Sequence, residues 1–319
     1  MRLVSFSGRG QTRVGAVDGD WIVDLTRAAR AHYAAQGRSR PGARARALFP
    51  PSMTQLLAGG DDTLALAREV AAEIHPRLAH APEARVLERE GVVWRTGDVR
   101  LLPPVPAPPK ILCVGRNYAE HAREGGGEPP TIPIYFGRFP HSLLGPGEPY
   151  VLPAASEQVD YEGELAAVIG RRGHGIPESR ALDYVAGYTV FNDISIRDYQ
   201  RRTSQWMIGK NFDRSGPLGP ALVTRDEVPD PQSLVLTVDV SGERLQEAGT
   251  VIMIFTVAYL IADLSRALTL EPGDIIATGT PSGVGFARKP PRWLRAGDRV
   301  RVSITKVGVL ETPVVARAG

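Results

Sequence analysis

The stretch Asp160-Tyr-Glu-Gly-Glu-Leu-Ala-Ala-Val-Ile-Gly170 constrains this chain more than any other. It begins by alternating polar and apolar residues and ends in an apolar run, the pattern of a strand entering a core. Successive side chains on a strand point to opposite faces, so Glu162 and Glu164 leave from the same face, with Asp160 in phase behind them. Two carboxylates side by side against a buried run repel each other, and burial without a partner forces one to protonate. A hard divalent cation such as Mg²⁺ or Ca²⁺ removes both problems, because it takes oxygen ligands. Alone, a Glu-x-Glu more often means two solvated acids on an exposed edge, where acids usually lie.

Composition narrows the field. Of 319 residues, 43% are hydrophobic and 23% charged, which allows a substantial core in one large domain or two smaller ones. The net charge is +3 with both signs interspersed, so no basic tract is available to grip nucleic acid. The arginines between Arg38 and Arg46 lack interleaved aromatics and read as a solvated loop. Cys113, the single cysteine, lies within the apolar run Ile111-Leu-Cys-Val114 and reads as core rather than nucleophile. The opening residues are interrupted too soon for a signal peptide, and no stretch has the apolar length of a membrane span. A reducing cytoplasm is the expectation.

Along the chain, residues 2–6, 13–17 and 21–25 read as short strands, with Asp18-Gly19 as a hairpin turn. Helical patterns follow near 25–36 and 62–76, separated by a Pro/Gly/Arg-rich connection. The proline-rich run at 103–109 cannot join a central strand and marks a linker, giving a small domain at 1–102 and a larger one at 110–319. After a strand at 110–114, Asn117 is placed as a helix cap and Gly125-Gly-Gly127 as its end. His121 and Glu124 then share one helix face, where the carboxylate can orient the imidazole as a general base; a surface His–Glu pair is the plainer reading. The glycines beside them suit a mobile lid. Residues 131–153 read as irregular until a short strand ahead of Pro153. A strand over 182–192 delivers Asp193, and Lys210 follows a glycine in apolar surroundings. The alternation at 234–240 is a half-buried strand turned by Ser241-Gly242, and 254–268 is an amphipathic helix. Two last strands fall near 298–305 and 308–315.

Six separated motifs occur in one order: Gly115-Arg-Asn-Tyr with His121, Asp160-Tyr-Glu-Gly-Glu-Leu165, Gly187-Tyr-Thr with Asn192-Asp193, Gln205-Trp with Gly209-Lys210, Met253-Ile-Phe255, and Gly273-Asp with Thr278-Gly-Thr-Pro281. Over about residues 110–315 they resemble the fumarylacetoacetate hydrolase family. The resemblance implies an α+β fold, mostly β, with a mixed β-roll catalytic domain behind a small N-terminal α+β domain, in a homodimer. It implies Glu162, Glu164 and Asp193 as carboxylate ligands of Mg²⁺, or of Mn²⁺ or Ca²⁺ as in some members. It casts His121 and Glu124 as the lid pair that activates water, and Lys210 and Gln200 as neighbours of the substrate carboxylate and oxyanion. Thr280 becomes a substrate contact, and Arg116 an arginine near the site.

The implied reaction is hydrolysis of a C–C bond in a 2,4-dioxo acid of the acylpyruvate or fumarylpyruvate type, through a metal-stabilised enolate. The alternative is isomerisation or decarboxylation of 2-oxo dienoic diacids, of the 2-hydroxyhepta-2,4-diene-1,7-dioate type, or of oxaloacetate. A catalytically idle binding protein is the weaker rival. The partner is a small 2-oxo or 2,4-dioxo acid, with neither nucleic acid nor membrane involved. Two departures stand out. Gly249-Thr-Val-Ile252 replaces Asn-Thr-Ser-Asp, so Val251 and Ile252 are expected to line the pocket or a subunit contact. Phe136-Gly-Arg138-Phe replaces Phe-x-Lys-Pro.

Overall fold

Strands Arg2–Gly8, Gln11–Asp18 and Trp21–Asp24 form the expected meander, with Gly19 at φ 58° supplying its second turn. The structure, a computed structural model, describes residues 1–317. Asp24 ends the third strand and caps the helix Leu25–Ala35, accepting from Arg27 N at 3.0 Å. The helical pattern near 62–76 extends over Gly60–Leu78. The arginine-rich connection is not a loop. Pro41–Leu48 is a helix started by its proline, with Ala45 and Phe49 buried beneath the exposed arginines. Alanine and arginine are both strong helix formers, and that signal outweighs the polarity of the stretch.

Among the described residues, twelve strands join one large sheet. Arg2–Gly8 enters it beside Gly216–Thr224, with Leu3 opposite Leu222. Beyond lie Val185–Asn192, Gly163–Ile169, Ile275–Ala277, Ile111–Gly115 and, at the edge, Ile134–Arg138. The run at 103–109 forms no strand, as its missing N–H groups dictate. It is anchored nonetheless: Ser5 Oγ donates to Pro104 O at 2.8 Å and Val105 is buried. The segments on either side of it share this sheet and one of its cores.

Gly163–Ile169 lies between two cores, which is why it reads as a nearly continuous apolar run. Ala166 and Val168 face Leu3, Val14, Leu25 and Leu64 of the N-terminal layer. Leu165, Ala167 and Ile169 face the opposite core, built with Val238, Val302, Leu260 and Ile261. That second core is closed by a five-stranded sheet ordered Glu243–Gly249, Val235–Val240, Arg299–Ile304, Gly308–Val315 and Tyr150–Val151. The helix Val257–Ala267, capped by Thr256, buries Val257, Leu260, Ile261 and Leu264 as its stripe predicts, while Leu268 falls outside and is exposed. The fold is α+β, with the helices concentrated in the first ninety or so residues and the catalytic part mostly strand.

The region 131–153 is more ordered than its proline and glycine content suggests. Ile134–Arg138 pairs antiparallel with Ile111–Gly115, and Leu143–Leu144 adds a short parallel bridge. Edge strands tolerate flanking prolines that a central strand would not, which hid this one. No described helix is long and apolar enough to cross a membrane.

Gly163 fixes how closely the two sheets approach. A β-carbon there would lie 2.4 Å from Val238 Cγ2 and 3.0 Å from Val302 Cγ1. Gly163→Ala is therefore expected to destabilise the protein by about 1–3 kcal/mol through overpacking, read as a lower urea midpoint at unchanged slope.

Candidate active site

The strand carrying the acids is interrupted. Val159–Asp160 pairs with Ser195–Ile196, and regular pairing restarts only at Gly163. Asp160 is therefore not in phase with the other carboxylates. It accepts from Tyr161 N at 2.8 Å, Gly285 N at 2.7 Å, Phe286 N at 3.0 Å and Arg197 Nε at 2.9 Å. Glu162 and Glu164 do share a side. The register that sets Gly163 opposite Asn192 brings Asp193 beside them, with Asp193 N donating to Glu162 O at 2.8 Å. Carboxylate oxygens of Glu162, Glu164 and Asp193 all lie within 4.8 Å of one another, and all three residues are buried.

Three buried cations meet them. Lys210 Nζ, on the short helix Met207–Lys210, lies 2.5 Å from Glu162 Oε2 and 2.6 Å from Asp193 Oδ2. Arg197 donates through Nη2 to Glu162 Oε1 at 2.6 Å and through Nη1 to Gln200 Oε1 at 2.9 Å. Arg138, from the edge strand, donates to Asp193 Oδ1 and, at 2.7 Å, to Ser215 Oγ. Burial opposes ionisation of Glu162, but Arg197 and Lys210 outweigh it and hold its pKa at about 2. Burial likewise opposes the charge on Lys210, and Asp193 and Glu162 reverse that, raising its pKa. Among the described residues Glu164 has no such cation. Its one hydrogen bond there is from Gly279 N at 2.9 Å, and burial, followed by repulsion from Asp193 and Glu162, pushes its pKa well up.

With Asp160, four carboxylates thus face three cations, and the surplus negative charge rests on Glu164. Three converging carboxylate oxygens with one uncompensated charge are the donor set a hard divalent cation takes. Such a cation fits here.

A cavity of about 100 Å³ opens above the cluster, bordered by Arg116, His121, Gln200, Thr280 and Lys210 among others. His121 lies on the helix Ala119–Glu124, where its Nδ1 is 2.8 Å from Glu124 Oε1. Glu124 Oε2 accepts in turn from Gly283 N at 2.9 Å. With Nδ1–H donated to Glu124, the lone pair on Nε2 is free of protein partners among the described residues. Thr280 Oγ1 accepts from Gln246 Nε2 at 2.8 Å. Arg116, at φ 57°, lays its guanidinium 5.8 Å from the centre of the Trp206 ring.

Several expectations need correction. Tyr118, not Asn117, is the N-cap of the His121 helix, and it caps without a side-chain bond. Asn117 is buried and ties the segment down, donating to Phe255 O at 2.9 Å and Thr278 O at 2.8 Å while accepting from Phe255 N at 2.8 Å. The first half of the supposed lid is therefore fastened into the core. Val251 and Ile252 do not border the cavity; they are 72% and 54% exposed. Cys113 is fully buried, as expected, and burial, reinforced by Asp193 and Glu164, raises its thiol well above the usual range. Arg138 and Arg197 were not foreseen as site residues. For Arg197 the one signal was indirect, since a core holding this many acids requires matching cations from somewhere in the chain; Arg138 stood where the family motif carries a lysine, a cation for a cation.

Comparison with known proteins agrees with this geometry. Residues 110–315 match the fumarylacetoacetate (FAA) hydrolase C-terminal family. The chain is 44% identical over 269 residues to the mitochondrial oxaloacetate tautomerase FAHD2A of Homo sapiens, spanning 84% of this chain and 81% of that one. The structure of a fumarylacetoacetate hydrolase from Exiguobacterium antarcticum superposes with a TM-score of 0.77 at 32% identity, covering 99% of this chain and all of the other. That of a maleylpyruvate hydrolase from Sphingobium sp. SYK-6, in complex with manganese(II) and pyruvate, gives a TM-score of 0.71 at 30% identity over the full length of both.

Glu164→Gln tests the charge imbalance. Without metal the variant should melt higher than the parent, by the order of 1–3 kcal/mol expected on relieving an unpaired buried group. Added Mg²⁺ or Mn²⁺ should then give none of the stabilisation expected for the parent. The raised Glu164 pKa sets the sign of the pH effect. As pH climbs from the ordinary carboxylate range toward that pKa, the unfolded chain has lost the proton and the folded one keeps it, so metal-free stability falls. Over the same window cation affinity should rise with pH, each binding event releasing a proton, as paired calorimetric titrations in two buffers would show.

Proposed function

The chain belongs to the fumarylacetoacetate hydrolase family, and from that premise we propose that it is a divalent-metal-dependent tautomerase of short 2-oxo dicarboxylic acids of the oxaloacetate class. The observation that carries this reading is the His121–Glu124 pair, which presents a basic nitrogen to a cavity of about 100 Å³. Pockets for drug-sized ligands run to about 300–1,000 Å³, so a substrate of four or five carbons suits this one better than a long dioxo acid.

Glu162, Glu164 and Asp193 would hold the cation: Mg²⁺, or Mn²⁺ as in the maleylpyruvate hydrolase neighbour, or Ca²⁺. When bound it supplies Lewis acidity toward the 2-oxo acid group. His121 Nε2 takes a proton from C3 of the keto acid as the C2–C3 double bond forms, and the imidazolium then returns that proton to the 2-oxygen to give the enol; the reverse path moves the same proton back. Glu124 keeps the imidazole in the required tautomer and steadies its cation. Lys210, held charged by Glu162 and Asp193, adds a fixed positive potential beside the developing oxyanion. Gln200, Thr280 and Arg116 line the cavity as donors to the substrate carboxylate.

Hydrolysis of a 2,4-dioxo acid, expected first from the sequence, becomes the second reading. The maleylpyruvate hydrolase likeness favours it, and the same His121 would then deprotonate water. Oxaloacetate keto–enol conversion, followed by ultraviolet absorbance with Mg²⁺, should be fast and abolished by EDTA. His121→Ala should lower kcat by about 10²–10⁴-fold while cation affinity stays close to that of the parent. Release of pyruvate from an acylpyruvate, without acceleration of oxaloacetate tautomerisation, would replace this reading with the second.

A homodimer belongs to the same proposal. The exposed pair Val251 and Ile252 is the kind of apolar surface that a second copy would cover. Light scattering should give twice the chain mass of 34.4 kDa, and a monomer at micromolar concentration would remove the dimer.

A further inference from the structure

Two arginines one helical turn apart border the cavity, and only one of them is used by the protein. Arg197 is spent: Nε, Nη1 and Nη2 donate to Asp160, Gln200 and Glu162 respectively. Arg201 borders the same cavity with no carboxylate and no side-chain hydrogen-bond acceptor among the described residues. Both guanidinium groups lie against one aromatic ring, with their central carbons 4.6 Å and 4.3 Å from the centre of Phe286.

That ring is firmly seated. The N–H groups of Gly285 and Phe286 both donate to Asp160, the carboxylate that also holds Arg197. Gly285 permits the approach, since a β-carbon there would lie 2.6 Å from Asp160 Oδ1 and 2.1 Å from Arg292 O. Asp160 thus aligns one arginine directly and gives the other a platform to stack on.

We propose that Arg201 binds the second carboxylate of the substrate, and so selects dicarboxylic over monocarboxylic 2-oxo acids. This rests on the reading of the cavity as a 2-oxo acid site and names the residue that sets its substrate class. The first carboxylate is taken near Lys210, Gln200 and Arg116, deeper in the cavity. A chain of four carbons then carries its other end toward the wall formed by Phe286, where a planar guanidinium can donate two parallel hydrogen bonds to a carboxylate. Burial, and then the neighbouring Arg197, lower the pKa of Arg201, which is the cost an incoming anion relieves. A monocarboxylate offers it nothing.

Titration calorimetry of the Mg²⁺-loaded protein with malate and with lactate tests this, because the two 2-hydroxy acids differ in the distal carboxylate and neither needs to be turned over. The parent should bind malate about tenfold more tightly than lactate, the scale of one charge-assisted hydrogen-bonded pair. Arg201→Gln should bring the two affinities together, Arg201→Lys should restore part of the preference, and Phe286→Leu should weaken it. The proposal is overturned if the parent shows no preference, or if Arg201→Gln weakens both acids alike or neither. Should oxaloacetate tautomerisation fail while the malate preference stands and vanishes in Arg201→Gln, the reaction is wrong and the role of Arg201 holds.

Discussion

A carboxylate removed from water must be met by positive charge or protonate, and this chain removes four of them in one place. Asp160, Glu162, Glu164 and Asp193 come from the interrupted strand at the centre of the large sheet and from the end of its neighbour. Their counter-charges come from elsewhere: Arg138 from an edge strand, Arg197 from the short helix Arg197–Gln200, Lys210 from a helix further along. The cluster therefore binds together elements that the hydrophobic cores alone would not align. Removing one partner leaves another charge buried and alone, an error that costs several kcal/mol in such networks.

The same arrangement suits the proposed chemistry. Charges already fixed by salt bridges would need no reorganisation if an oxyanion developed beside them, as the proposed tautomerisation requires. Lys210 is the clearest case, since its two acid partners both hold its proton and fix its position. Glu164 is the opposite case, a carboxylate kept short of counter-charge on the side that faces the cavity. Two of the three converging carboxylates have cation partners within the protein and the third has none among the described residues, an imbalance that the proposed divalent cation would relieve.

What could be read from the sequence follows from the range of each signal. Glu162, Glu164, Asp193, the His121–Glu124 pair and Lys210 sit in short motifs, and strand alternation or helical spacing brings each pair together locally. The central strands and the Val257–Ala267 helix carry strong periodicity and were legible for that reason. Asp160 was misplaced because alternation cannot show a strand that stops at one residue and restarts three later. Arg138 and Arg197 were invisible as site residues because only the tertiary fold brings them to the acids. The Pro41–Leu48 helix and the Ile134–Arg138 strand were masked by prolines that sit at a helix start and beside an edge strand, where they do no harm.

The pairing of Arg2–Gly8 with Gly216–Thr224 has a bearing on how the molecule comes into being. During synthesis the first strand and its hairpin partner emerge early, and Arg100–Leu101 then pairs with Phe6 and Ser7 on the other flank, yet the partner of Arg2 and Leu3 on that flank follows only after most of the chain has been made. Until then one rim of the nascent meander carries unpaired N–H and C=O groups, the kind of rim that recruits strands from other molecules. Contacts so distant in sequence also slow the search for the native topology. The ribosome-bound intermediate, rather than the finished enzyme, is thus where this architecture is most exposed to misassembly.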